Sequence, residues 1–489
     1  MGAIDTMTCG GVPATLDRLP DTPAGNRLAE IVSLTRDATP SAVSEYVQSA
    51  FTHECASFAP IGRRIGSFMD WKTRGGMDVY QVAITEPHRI EVAARQPLTD
   101  ERRMLAVVVE TEAPYRVKEL LIGRSPLPII DPPLDDQTAA DAFIDYTQRL
   151  ADLGLFSGAV LSARHGRVLA QQAFGLANRD FDIPNNLGTR FNVGSINKMW
   201  TAIAIAQLVE SGTLSFDDPL SRFIDYPDAE SAARIRIKHL LTHTSGLGCY
   251  FNETYDLTAR HRMRTVDDFL ALSKDQRPTF EPGTDWRYSN LGMIVAGKVL
   301  EVASGQTYFD SIQANVLNPA GMQHAGFFEL DHVNKNLAVG YAERWTVAGV
   351  EIMNNIFEHV VRGGPAGGSF ATAEDLFRFA EAFKSGRLVS RAMAETLTTG
   401  KPELCSPLYG YGFGIHPGRA FYGHSGGFTG ISSNLDIFEN PFGWVVVVLA
   451  NDLAGMRPPA LKARQLIGLT IPEPTETKAC LPTAYLRRR

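Results

Sequence analysis

The sequence lacks several features that would each point to a class of protein. Its five cysteines (Cys9, Cys55, Cys249, Cys405 and Cys480) are odd in number and scattered through 489 residues. That spacing fits neither a disulfide framework nor a C-x-x-C metal or redox site. No apolar run approaches the roughly 20 residues that a membrane-spanning helix needs. The longest, such as Trp444 to Ala450, have the size of buried strands. Long basic runs are missing and the formal net charge is −7, so neither nucleic acid nor an anionic membrane is an expected partner. H-E-x-x-H, Walker and G-x-G-x-x-G motifs are absent, so no metal and no cofactor is expected. The first residues, M-G-A-I-D-T-M-T-C-G-G-V, show no basic segment followed by an apolar core, which leans the chain to the cytoplasm.

What remains is the composition of a folded protein with a large core: 44% hydrophobic and 21% charged residues. The length calls for more than one domain. Ser125 to Asp136, S-P-L-P-I-I-D-P-P-L-D-D, holds four prolines and reads as a stiff linker. The expected division is a small α+β domain over 1–125, a Pro-rich linker over 126–137, a catalytic domain over 138–475 and a tail over 476–489. In the first part a helix is expected from Pro40 to Phe51. Four strand-like runs follow (D-V-Y-Q-V-A-I, H-R-I-E-V-A-A-R, R-M-L-A-V-V-V-E-T and Y-R-V-K-E-L-L-I) with short polar loops between them, a pattern that predicts an antiparallel meander. After the linker we expect a helix over Ala139 to Leu153, a hairpin turning at His165-Gly166, and a mainly helical stretch from about 195 to 400. Strands then return, ending with W-V-V-V-V-L-A, before a helix near Arg457 to Leu466. Strands at both ends of a helical region imply an α/β domain whose sheet is completed late in the chain.

Gly423-His424-Ser425-Gly426-Gly427 spells G-x-S-x-G, the nucleophile elbow of α/β-hydrolases. That motif needs a helix after the serine and a histidine further on. Here glycines and β-branched residues follow, and His424 is the last histidine in the chain. Ser195, in F-N-V-G-S-I-N-K-M-W, is the better nucleophile. With Lys198 it forms an S-x-x-K at the head of M-W-T-A-I-A-I-A-Q-L-V, a run without charge and therefore a buried helix. Residues three apart share a helix face, so the amine reaches the hydroxyl. Desolvation lowers the pKa of a buried lysine, which can then take a serine's proton. By itself the motif fits equally well an N-cap serine followed by a lysine that reaches water.

Two further segments decide between these. W-R-Y-S-N-L-G places Tyr288 and Asn290 in a Y-x-N at the head of an apolar helix, and H-S-G-G places His424, Ser425, Gly426 and Gly427 on a strand. In this order S-x-x-K, Y-x-N and H-S-G resemble the serine β-lactamase and penicillin-binding superfamily, above all class C β-lactamases, DD-peptidases and related esterases. F-S-G-A-V-L, L-L-T-H-T-S-G-L and G-G-P-A-G-G-S-F-A-T-A-E-D-L add to the likeness, which covers roughly 139–470. The resemblance implies a β-lactamase-like fold: an antiparallel sheet flanked by helices, plus an all-helical subdomain.

It also implies roles. Ser195 would be acylated and Lys198 would hold or accept its proton. Tyr288 would act as general base, its phenolate favoured by nearby positive charge, and Asn290 would bind a substrate carbonyl. The backbone N–H groups of Ser195 and Gly427 would form the oxyanion hole, and Gly426-Gly427 would let an acyl chain lie along the strand. His243 is expected to be structural, Trp286 to be packing, and the glycines of 363–368 to border the site.

Many relatives carry lysine where this chain has His424. An imidazole attracts a substrate carboxylate less, and its preference for such substrates should grow as pH falls through its pKa. The implied activity is a cofactor-independent serine hydrolase acting on a small-molecule ester or amide, a carboxylesterase first. A D-amino-acid peptidase or amidase, a weak β-lactamase, or an acyltransferase using the same acyl-enzyme are the alternatives. A homo-oligomer is left open.

Overall fold

The computed structural model describes residue 16 and residues 18–124, 133–226, 228–273, 276–416, 420–439, 441–452 and 455–468. Most of the expected linker (125–132) and the whole tail lie outside these residues.

The N-terminal part is four helices followed by four strands. The strands Asp78–Glu86, Arg89–Arg95, Arg102–Val109 and Val117–Arg124 pair in sequence order, each antiparallel to the next, as the alternating pattern predicts. Only one of the helices was expected, and it is present as Pro40–Ala50. Pro23–Asp37, His53–Ser57 and Ile61–Thr73 come in addition. The first of these announces itself as the second does: Thr22 and Thr39 cap their helices with side-chain hydrogen bonds, and a proline follows each. Ile61–Thr73 is hidden by Gly62 and Gly66, which weaken a helix pattern. Both glycines have a packing reason. A Cβ on Gly66 would stand 3.2 Å from the Trp345 ring, and one on Gly62 would stand 3.0 Å from the Trp345 carbonyl. Leu28, Ile31, Val47, Phe68, Ile90 and Val107 lie in a hydrophobic core shared by these helices and strands, and Trp345 packs on it from far along the chain.

The rest is built on a six-stranded antiparallel sheet. Its order across the sheet is Gly414–Ile415, Phe421–Phe428, Ile431–Phe438, Trp444–Ala450, Gly158–Arg164 and Arg167–Phe174. The period-two rule explains why Trp444–Ala450 is apolar throughout. Val446 and Val448 face a core shared with the helices Asp136–Asp152 and Arg457–Leu466. Val445, Val447 and Leu449 face the larger core of the helical subdomain. The hairpin at His165-Gly166 is present, both residues in the left-handed region that such a tight turn requires. Helix Asp136–Asp152 starts earlier than expected, capped by Asp135, so residues 136–137 are helix rather than linker.

The middle region is mainly helical, with two corrections: Ser369–Ala371 is a strand paired with Phe191–Gly194, and strands Tyr341–Thr346 and Gly349–Asn354 form a separate hairpin. This hairpin carries Trp345 to the N-terminal core. The two parts also meet where Arg149 donates to the Leu98 carbonyl at 3.0 Å and Arg457 pairs with Glu101.

Candidate active site

The candidate nucleophile sits on a forced turn. The strand Phe191–Gly194 ends at Gly194, whose φ of 51° and ψ of −129° suit glycine alone. A Cβ there would also meet the Gly426 Cα and the Gly427 nitrogen at 3.1 Å. One turn of 3₁₀ helix, Ser195–Asn197, leads into the helix Lys198–Glu210. That helix is buried from Lys198 to Ala206, as its uncharged sequence predicts. Buried Asn197 ties this turn to the loop 363–369. Its amide donates to the Gly364 carbonyl at 3.1 Å, and its oxygen accepts from the Ser369 hydroxyl at 3.0 Å.

Lys198 is wholly buried, and its Nζ donates to Ser195 Oγ at 2.9 Å. Its second acceptor is the Ala366 carbonyl, so the expected glycine loop does border the site. Burial brings the lysine pKa down from 10.5 to about 7, against a smaller opposing effect from Cys249. Among the described residues no carboxylate pairs with the amine, so near neutrality a large fraction is uncharged. The serine, by contrast, is partly accessible.

Tyr288 and Asn290 come in at the head of the helix Asn290–Ser304, which is capped by Ser289 rather than by Asn290. Lys198 Nζ lies 5.0 Å from the centre of the Tyr288 ring. The phenolate expected at Tyr288 is not what its surroundings favour: burial pushes the phenol up, and a hydrogen bond with Ser195 offsets only part of this. The Asn290 amide donates to Cys249 Sγ at 3.3 Å.

His424, Ser425, Gly426 and Gly427 lie on Phe421–Phe428, with no helix following, so Ser425 is not on an elbow. Gly426 packs against the nucleophile turn, where an added Cβ would be 2.1 Å from the Val193 carbonyl and 2.9 Å from the Ser195 nitrogen. His424 Nδ1 donates to the Ser425 carbonyl at 2.5 Å, which fixes the tautomer, and Nε2 accepts from the Tyr409 hydroxyl at 2.8 Å. Burial, and secondarily Lys198, lowers its pKa to about 3. The expected gain of charge as pH falls through 6.5 is therefore corrected: this ring stays neutral across the working range.

His243 is packed as a structural residue would be, but of its two ring nitrogens only Nδ1 has a partner among the described residues, and the buried Nε2 has none. Its Nδ1 accepts from the Ser289 N–H at 3.2 Å, and its ring lies 4.3 Å from Tyr288 and 4.5 Å from Tyr409. Trp286 packs edge-on against it at 6.0 Å.

The cavity at Ser195 is small, about 60 Å³, and its walls include Tyr250, Phe251, Asn290, Gly427 and Phe428. Among the described residues no Lys, Arg, Asp or Glu lines it. Asn192, His359, Tyr409 and the pair Phe251–Phe428, stacked at 5.3 Å, were missed in the sequence. They come from separate segments and carry no motif. Among the described residues Glu329, Asp331 and His332 are the one cluster with metal-ligand spacing. Arg264 pairs with both carboxylates and Arg362 with Glu329, so this charge is already balanced.

With a serine and a lysine in contact, a Y-x-N beside them and a glycine strand across them, the chain has the site of a serine hydrolase on a β-lactamase-like fold. The family model described as Beta-lactamase matches residues 144–469, and the chain belongs to that family. It is a serine hydrolase of the β-lactamase and penicillin-binding group.

Over 302 residues it is 30% identical to penicillin-binding protein PbpX of Bacillus subtilis, covering 62% of this chain and 72% of that one. It is also 30% identical over 278 residues to esterase EstB of Burkholderia gladioli, covering 50% and 69%. Among solved structures, a penicillin-binding protein from Bacillus halodurans superposes with a TM-score of 0.59 at 31% identity, covering 67% of this chain and 99% of that one. No helix among the described residues is long and apolar enough to cross a membrane.

Proposed function

We propose that the chain is a carboxylesterase that forms an acyl-enzyme on Ser195. One observation carries the choice of ester over a carboxylate-bearing substrate: the lining of the Ser195 cavity is uncharged, and His424 beside it is neutral with both ring nitrogens occupied. Such a wall offers no positive charge to hold a carboxylate, whereas a neutral ester needs none. The name of the relative EstB points the same way.

In this reading Ser195 Oγ attacks the ester carbonyl and its proton passes to the neutral Lys198 amine. The backbone N–H groups of Ser195 and Gly427 receive the developing oxyanion, and Asn290, in the cavity wall, borders the bound acyl group. Collapse breaks the bond to the alcohol, which leaves with the proton returned from Lys198 through the Tyr288 hydroxyl. Tyr288 thus acts as a neutral relay rather than as a stored phenolate. Water then attacks the acyl-enzyme by the reverse sequence of proton transfers, releasing the acid.

The test is intact-protein mass after mixing with an activated p-nitrophenyl ester. Wild type should gain one acyl group on Ser195, and Ser195→Ala should gain none and turn over nothing. Full activity in Ser195→Ala, with loss in Ser425→Ala, would overturn the reading.

A further inference from the structure

Next to the small cavity at Ser195 lies a much larger one of about 570 Å³. That is within the range of sites that enclose small molecules, roughly 300–1,000 Å³. The two share Asn192, His359 and Ile431 as a common wall. We propose that the large cavity is the acyl-chain site of this enzyme and that the natural substrate is an ester of a medium- or long-chain apolar acid. This rests on the esterase reading above and deepens it.

The lining argues for an apolar occupant. Phe191, Leu337, Val339, Phe370 and Ile431 line the cavity, and Ile356 and Phe357 among its lining residues are 49% and 87% exposed. Such an apolar lip gains nothing from water and suits a chain entering from outside. The charged residues present are already engaged. Arg260 directs its donors at the carbonyls of Tyr255, Thr258 and Glu358 and lies over the Tyr255 ring, and Asp331 is paired with Arg264. The amide groups of Asn355 and Asn451 donate to the carbonyls of Thr429, Leu176 and Val339.

The shared wall connects the cavity to the chemistry. The Asn192 amide donates to His359 Nε2 at 2.9 Å, His359 Nδ1 donates to the Val360 carbonyl at 3.0 Å, and the Phe428 ring lies edge-on to His359 at 5.8 Å. Asn192 Oδ1 accepts from the Gly194 N–H at 2.9 Å, one residue before Ser195. This partition is uncharged, because burial lowers the His359 pKa. To reach the large cavity, a chain attached to the acylated serine has to pass this neutral wall.

The experiment is a chain-length series of p-nitrophenyl esters, from acetate to decanoate, on wild type, Ala338→Trp and Phe357→Ser. Each buried methylene is worth about fourfold in affinity, so wild-type kcat/KM should rise at least ~10-fold from butyrate to octanoate. Ala338→Trp narrows the cavity, and Phe357→Ser removes its exposed lip without disturbing a core. Either should cut octanoate turnover severalfold and leave acetate within about twofold. Hydrolysis of acetate with a flat chain-length profile, unaltered in both variants, overturns the cavity assignment and leaves the esterase reading standing. If no ester acylates Ser195, the esterase reading falls, and binding of methyl octanoate to Ser195→Ala by calorimetry decides the cavity separately. Binding that is lost on adding Ala338→Trp upholds an apolar-chain site; no binding, or binding unaffected by Ala338→Trp, removes it.

Discussion

Replacing Lys198 by methionine tests the central feature of the site through stability rather than activity. The lysine is fully buried, and burial holds its pKa at about 7, against 10.5 for the free side chain. In the unfolded chain it binds a proton up to pH 10.5, whereas in the folded protein it does so only up to about 7. Stability therefore rises with pH between these values, and the burden of burying the amine is greatest below pH 7. With ~1.36 kcal/mol per pKa unit, that burden is about 5 kcal/mol near pH 6 and about 2 kcal/mol at pH 9. Lys198→Met removes it. It also removes the hydrogen bonds to Ser195 and the Ala366 carbonyl, whose loss does not vary with pH in this way. The variant minus wild-type stability should therefore fall by roughly 3 kcal/mol from pH 6 to pH 9, whatever its absolute sign. Urea unfolding of both proteins in matched buffers measures this, and other titrating groups cancel in the difference. A gap that does not change with pH would mean that the buried amine stays protonated throughout, as in the unfolded chain, and the proton-acceptor argument would fail.

The same geometry sets further expected outcomes. Acylation of wild type by a neutral ester should increase with pH with a midpoint near 7, as Lys198 loses its proton, read as kcat/KM from pH 5.5 to 9. The ratio of kcat/KM for a cephalosporin to that for a neutral ester should be flat from pH 5.5 to 8 in wild type, because His424 does not titrate there. His424→Lys should raise that ratio about tenfold, the low end of what a charge-assisted bond contributes. Gly426→Ala should slow fluorophosphonate labelling of Ser195 by at least ~100-fold, since a methyl group there collides with backbone on the nucleophile turn and misplaces an oxyanion donor. Trp345→Ala should lower the melting temperature by a few degrees by loosening the contact with Gly62 and Gly66, while Ser195 labelling of the folded protein continues.

Much of this was legible because chemistry and periodicity agreed. The uncharged run after Lys198 fixed both a buried helix and a depressed lysine, and the serine–lysine contact follows from a three-residue spacing. The alternating runs before residue 125 were enough for the meander. Features that depend on a distant partner were not legible. Gly62 and Gly66 look like helix breakers until Trp345 is placed against them. His424 looks like a titrating imidazole until the fold buries it and sets it near Lys198. The charge expected to favour a Tyr288 phenolate is weakened by the same burial that neutralises Lys198, and no local pattern reports that balance. The division of the chain at 126–137 remains a proposal. The two parts have separate cores but touch through Trp345, Arg149 and Arg457.

The order of strands has a consequence for how the chain is made. Gly158–Arg164 pairs with Trp444–Ala450, so neighbours in the middle of the sheet are some 280 residues apart in synthesis. Until the last strands leave the ribosome, the early hairpin presents an unpaired edge and an apolar face, and the nucleophile turn has no glycine strand to rest on. Such long-range closure is slow and exposes a template for mispairing. The nascent protein should therefore depend on chaperones that cover that edge, and chains terminated before about residue 450 should aggregate rather than persist as inactive soluble fragments.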